Sequence, residues 1–233
     1  MDWYGRIDGG GGDLAGFIGA RAPGTVTAVG ICSLDGRAAL DGVSGALGDP
    51  ADRALLAGLR EGADAILVTA GTVAAEDYGP AAIPVAVVTG SLSPDPAARL
   101  FRPGPGQAAP LLLTTAPAAG DGAAPRWRRR RARLTAAGAE VLELPGTAPG
   151  QLIAALAARG LRRVLLEGGP SLYAAFLAAD AVDELFLTIA PVTAGSGPSL
   201  LGAAESAPRR FTRTGLAASD SHVFLRYGRR RAG

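Results

Sequence analysis

The stretch that decides the fold is Val164-Leu165-Leu166-Glu167-Gly168-Gly169-Pro170-Ser171-Leu172. A short apolar run bounded by turn residues suits a strand buried on both faces of a parallel sheet. Two glycines then turn the chain, and Pro170 stands where a proline is accepted, at the first position of a helix. Glycines let backbone N–H groups approach an anion closely, and a helix N-terminus adds partial positive charge. The spacing is not G-x-G-x-x-G, so that dinucleotide fingerprint lends nothing here. From its residues alone the segment is either a phosphate-binding turn or an ordinary strand-to-helix turn with Ser171 near the cap.

Upstream, Ala65-Ile66-Leu67-Val68-Thr69-Ala70-Gly71-Thr72-Val73 repeats the pattern of a buried strand running into small residues. Ligands of open α/β sheets bind beyond the carboxyl ends of the strands, so two such turns can face one ligand. Further strands are expected at Thr25–Cys32, Val85–Thr89, Pro110–Thr115, Ala139–Leu144 and Glu184–Pro191. A closing hairpin is expected from Phe211–Leu216 and His222–Tyr227. Helices are expected after Asp49-Pro50, over Arg126–Arg133, over Gln151–Arg159 and over Ser171–Ala178. Ser91–Gly106, rich in Pro and Gly, reads as a loop. Strands alternating with helices, then a strand pair, predict an α/β fold with a mostly parallel sheet and an antiparallel C-terminal edge. Residues 1–23, with a glycine run at 9–12, read as a flexible tail. Residues 24–228 read as a single domain, and 229–233 as a basic tail.

Composition removes several chemistries. The 233 residues include no lysine, one cysteine (Cys32) and one histidine (His222). A Schiff-base lysine and a P-loop lysine are therefore excluded. A thiolate metal cluster, a histidine zinc site and a Ser-His-Asp triad are not expected. Hydride transfer from a bound cofactor needs none of these, because the cofactor carries the reactive group. Net charge is +2, concentrated in the arginine runs 126–131 and 229–231. A solvated helix face and a chain end account for those runs, so no nucleic-acid partner is expected, although the runs define that alternative. No apolar stretch approaches the ~20 residues of a membrane span, and no export signal opens the chain. A cytoplasmic location is expected.

A third motif is Ser33-Leu34-Asp35-Gly36-Arg37, a turn by its Asp-Gly pair. Taken in order, the three motifs resemble the reductase domain of bacterial riboflavin biosynthesis, the pyrimidine reductase family. Val182-Asp183-Glu184-Leu185, Ile189-Ala190-Pro191 and Phe224-Leu225-Arg226-Tyr227 extend the resemblance to roughly residues 25–227. It implies a dihydrofolate-reductase-like fold with helices on both faces, NADPH as hydride donor, a small-molecule substrate and a homodimer. The reaction implied is reduction of a C=N or sugar-imine bond on a pyrimidine- or pterin-like molecule. Folate reduction and imine reduction in secondary metabolism are the alternatives within the same fold. On the cofactor side the resemblance implies Thr69, Gly71, Thr72, Glu167, Gly168, Gly169, Ser171 and Leu172, with Thr89 and Ser91 near the adenosine 2′-phosphate. On the substrate side it implies Ser33 and Ser44, with Asp35 and Glu76 as the catalytic candidates. The family's Ser-Lys-Trp segment and following arginine are replaced by Val43-Ser44-Gly45-Ala46 and Glu76-Asp77-Tyr78-Gly79-Pro80. This is closer to stand-alone actinobacterial relatives with a Tyr-Gly-Pro variant.

Overall fold

The glycine turn lies at the end of a central strand. The computed structural model describes residues 3–7, 13–40, 42–118, 122–202 and 208–230. Its strands are β1 (Trp3–Arg6), β2 (Val26–Cys32), β3 (Ala65–Thr69), β4 (Val85–Val88), β5 (Leu111–Thr114), β6 (Glu140–Glu143), β7 (Val164–Gly168), β8 (Glu184–Ile189), β9 (Phe211–Ala218) and β10 (Val223–Arg229). Its helices are α1 (Leu14–Ile18), α2 (Pro50–Glu61), α3 (Ala70–Ala75), α4 (Ala124–Ala136), α5 (Pro149–Ala157) and α6 (Pro170–Ala178). The strands form one sheet in the order β1-β9-β10-β8-β2-β7-β3-β4-β5-β6. Every pairing is parallel except the two that β10 makes, with β8 and β9. The predicted mixed sheet is therefore present, and the C-terminal hairpin supplies its antiparallel part.

Alternation along the central strands divides the core. Leu166 packs with Leu152, Leu156, Leu172 and Phe176 of α5 and α6. Leu165, on the opposite face, packs with Phe17 of α1 and with Leu55 and Leu59 of α2. Ile66 and Val68 share that second side with Trp127 and Leu134 of α4. Strands buried on both faces read as unbroken apolar runs, which is why β3, β4, β5 and β7 were plain in the sequence. The helix entries follow local chemistry. Asp49 accepts a hydrogen bond from the Asp52 N–H at 2.8 Å and caps α2 ahead of Pro50, while Pro149 and Pro170 open α5 and α6.

Two expectations change, at the chain ends, and the loop read at Ser91–Gly106 is more buried than its composition suggests. The segment read as a tail contributes β1, paired with β9 in parallel, and α1, whose Phe17 is fully buried against Phe186. Four residues with a central glycine carry too little periodicity to mark a strand, and tertiary pairing decides it. The glycine run at 9–12 lies outside the described residues. Ser91–Gly106 holds a 3₁₀ turn, Arg99–Phe101, and buries Leu92, Leu100 and Phe101. At the C-terminus, Arg229 is the last residue of β10 and pairs with Asp183 at 2.9 Å. No helix among the described residues is long and apolar enough to cross a membrane.

Candidate active site

A cleft of about 630 Å³ opens where β2, β3 and β7 end. Because β3 pairs β7, with Val68 opposite Gly168, the two glycine-containing turns are neighbours on its wall. Thr69 caps α3: its hydroxyl accepts from the Thr72 N–H at 3.1 Å and lies 3.0 Å from the Thr72 hydroxyl. Gly169 faces this pair so closely that a Cβ there would stand 2.9 Å from Thr72 Oγ1 and 3.4 Å from Thr69 Oγ1. Glycine is required by that approach. Gly168 has φ +118°, a conformation open to glycine and strained for other residues. Gly169 is also the N-cap of α6 and offers no side chain to it, so the first turn of the helix is left to another acceptor.

Glu167, just before the glycines, is fixed from two other elements. Arg60 of α2 donates Nε to Oε1 at 2.7 Å and Nη2 to Oε2 at 2.6 Å. Tyr78, beyond α3, donates its hydroxyl to Oε2 and accepts from Arg60 Nη2 at 2.7 Å. The Glu167 side chain is only 5% exposed. Burial, and after it the Glu167 charge, pushes the Tyr78 hydroxyl well above its ordinary pKa, so Tyr78 stays a neutral donor. Burial opposes the Arg60 charge, but the bonds to Glu167 outweigh it and raise the guanidinium pKa. Arg60 and Tyr78 had no place among the sequence candidates; nothing in a helix repeat or a Tyr-Gly-Pro turn shows that they converge on residue 167.

The opposite wall carries Ser44, whose backbone N–H donates to Glu76 Oε1 at 2.8 Å. Of the sequence candidates, Ser44, Thr69, Gly71, Thr72, Glu76, Glu167, Gly168, Gly169 and Ser171 all line the cleft. Five do not. Leu172 is buried in the core beneath α6. Thr89 is buried and accepts from the Ser93 N–H at 3.4 Å. Ser91 is exposed, and its carbonyl accepts from Arg130 of α4 at 2.9 Å, an arginine that is remote in sequence. Ser33 is buried and donates to Asp35 at 2.6 Å.

Asp35, a catalytic candidate in the sequence, is held outside the cleft lining. Its carboxylate also accepts from the Ala194 and Gly195 N–H groups, at 2.9 and 2.8 Å. The Ser33 hydroxyl, with these backbone donors, lowers its pKa to about 2. Its carboxylate thus ties the Ser33–Arg37 turn to the 194–195 loop. Cys32 is buried, and burial, followed by the Asp35 charge, raises its thiol pKa, so an inert thiol is the consistent reading.

The sequence profile of the RibD C-terminal domain matches residues 24–225. The chain belongs to that family. A pyrimidine reductase-like protein of Corynebacterium diphtheriae is similar over 94% of this chain and 99% of its own, at 32% identity and a TM-score of 0.82. The deaminase/reductase of Thermotoga maritima shares the fold at a TM-score of 0.70 and 22% identity, over 89% of this chain and 57% of its own. The riboflavin biosynthesis protein RibD of Bacillus amyloliquefaciens is 37% identical over 93 residues, 35% of this chain and 25% of that protein. The chain thus spans about half of the Thermotoga protein, and a quarter of the Bacillus protein is matched. This member has the mostly parallel α/β fold that the three motifs imply.

Proposed function

We propose that this protein is an NADPH-dependent reductase of a carbon–nitrogen double bond on an aminopyrimidine, in its family's case the ring-opened ribosylamine of 5-amino-6-(5-phosphoribosylamino)uracil. The observation that carries the reading is the contact of the Thr69–Thr72 turn with the Gly168–Gly169 turn on one cleft wall. Main-chain glycines, two hydroxyls and the uncapped start of α6 form a cradle that suits a pyrophosphate, and a side chain at residue 169 would fill it. Bound there, NADPH supplies the hydride.

The protein's own part is binding and orientation. Arg60 and Tyr78 hold Glu167 and so fix the turn that follows it. Ser44 and Glu76 present polar groups across the cleft to the substrate. Holding two reactants in line supplies much of the acceleration in such a transfer. Arg130 beside Ser91 is the cation suited to a 2′-phosphate, and therefore to NADPH over NADH. The working unit is a homodimer in the cytoplasm, handling a small molecule and no nucleic acid.

Titration calorimetry with NADPH and NADH, followed by absorbance at 340 nm with the aminouracil substrate, tests this reading. Saturable NADPH binding and substrate-dependent NADPH oxidation are expected. Absence of NADPH binding overturns the cofactor assignment; binding without turnover of the aminouracil overturns the substrate assignment. Light scattering checks the dimer.

A further inference from the structure

His222, the one histidine of the chain, is buried where the turn between β9 and β10 meets the start of α2. Its Nε2 lies 2.8 Å from the Leu47 carbonyl, which can only accept, so Nε2 carries a proton. Its Nδ1 lies 2.8 Å from the Ser221 hydroxyl and 3.2 Å from Asp49 Oδ2. Ser219 completes the joint. Its hydroxyl donates to Asp49 Oδ2 at 2.8 Å and accepts from the His222 N–H at 3.0 Å.

From Leu47 the contacts run on into the cleft. The Leu47 N–H donates to the Ser44 carbonyl at 2.9 Å, and the Ser44 N–H donates to Glu76 at 2.8 Å. Successive hydrogen bonds thus lead from His222 to Glu76, through the segment whose Ser44, Gly45 and Gly48 line the cleft. Residues 44–48 lie in no helix or strand, so this wall takes its position from such contacts and not from a ladder of its own. The Leu47 side chain packs on Ile31, part of the cleft floor.

We propose that His222 is a positioning residue for the reduction: through Leu47 it sets the substrate wall of the cleft, and its protonation tightens that wall. This rests on the reading above that Ser44 and Glu76 face the substrate. A neutral imidazole has one N–H, and the Leu47 carbonyl takes it. Nδ1 then accepts from Ser221, and its lone pair faces the Asp49 carboxylate. Protonation gives Nδ1 an N–H as well, which makes a charge-assisted bond to Asp49 while Nε2 keeps Leu47. Asp49 and Asp52 face the ring from α2, and Phe224 of β10 stacks on it with ring centroids 6.4 Å apart. Asp220, in the same turn, is exposed and pairs with Arg6. Burial works against the Asp49 charge, but the Asp52 N–H, the Ser219 hydroxyl and the His222 charge outweigh it and lower its pKa, which keeps the acceptor ionised.

The test uses the single imidazole as its own reporter. In 15N-labelled protein, the His222 ring signal and the Ser44 and Gly45 amide signals are followed through the imidazole range, about pH 5 to 8. All are expected to move with one midpoint. The amides should lose that step in His222→Gln, whose carboxamide reaches Leu47 but does not titrate. With NADPH saturating, KM for the aminouracil should be roughly three- to tenfold lower at pH 6 than at pH 8 in the unmodified protein, the effect of one added charge-assisted bond. In His222→Gln it should stay near the pH 8 value throughout. His222→Phe, which cannot bond Leu47, should raise KM about tenfold at both pH values. NADPH affinity should stay unchanged in both variants. An amide step that persists in His222→Gln belongs to Asp52 and overturns the proposal. So do amides that stay still while His222 titrates, and so does equal KM in all three proteins. If His222→Phe does not fold, His222→Gln and the amide titration decide. Failure of the substrate reading shows separately, as absence of NADPH oxidation by the unmodified protein, and the amide signals then decide the role of His222 without turnover.

Discussion

Arg60 and Glu167 are 107 positions apart in the chain, yet they meet in a two-pronged ion pair, Nε to Oε1 at 2.7 Å and Nη2 to Oε2 at 2.6 Å. The pair joins α2 to the end of β7 and so fixes the residue that precedes the Gly168–Gly169 turn. The planar guanidinium matches a carboxylate with two parallel bonds, which a lysine cannot do.

Removing Arg60 leaves Glu167 buried with only Tyr78 as partner. Arg60→Ala should lose about 3 kcal/mol of stability, the low end for breaking a buried pair, since the Arg60 side chain is itself one-third exposed. Arg60→Lys should keep most of the stability but raise KM for NADPH, because one bond cannot hold the carboxylate's orientation. Urea denaturation and steady-state kinetics measure the two effects. Equal KM in the unmodified protein and Arg60→Lys would count against control of the turn by this pair.

Gly169→Ala places a Cβ 2.9 Å from the Thr72 hydroxyl, so the two turns must part by several tenths of an ångström. NADPH affinity should fall at least tenfold, with thermal stability reduced less severely. Adding Thr72→Ala should relieve the contact. If the double variant then regains stability without regaining affinity, the Thr72 hydroxyl is itself a cofactor contact. Calorimetry and thermal unfolding separate the cases.

The Asp35 carboxyl gives a pH signature. Its folded-state pKa is about 2, below that of an unfolded aspartate near 4, so the folded state favours the ionised form. The resulting stability is fully present above about pH 4 and is lost as pH falls toward 2. Asp35→Asn should thus be less stable than the parent at neutral pH, with the gap closing over that acid window. Denaturation curves at pH 7, 4 and 2.5 read it directly.

Asp52 predicts the opposite sign. Its pKa is raised in the folded protein, so its ionised form opposes folding at neutral pH, and the penalty is relieved as pH falls through the raised value. Asp52→Asn should unfold at a higher temperature than the parent at pH 8, a gap that closes as pH falls, measured by thermal unfolding at pH 8 and 5.

The α/β character, the central strands and the two glycine turns are legible in the amino-acid order alone. The strands are buried on both faces, and their apolar runs need no partner to be read. The turns are legible because only glycine tolerates such close approach, and chain order placed them on strands of one sheet. Contacts made across the fold come from folding. It turned part of a glycine-rich segment into β1, brought Arg60 and Tyr78 onto Glu167, and removed Asp35 from the cleft by giving it two backbone donors 159 and 160 residues away. It also brought Asp52 to the floor beside Thr188, where the chain's own alternation says nothing about a carboxyl. Local pattern records which residues must be buried or must turn; charge, proton affinity and orientation depend on neighbours that only folding supplies.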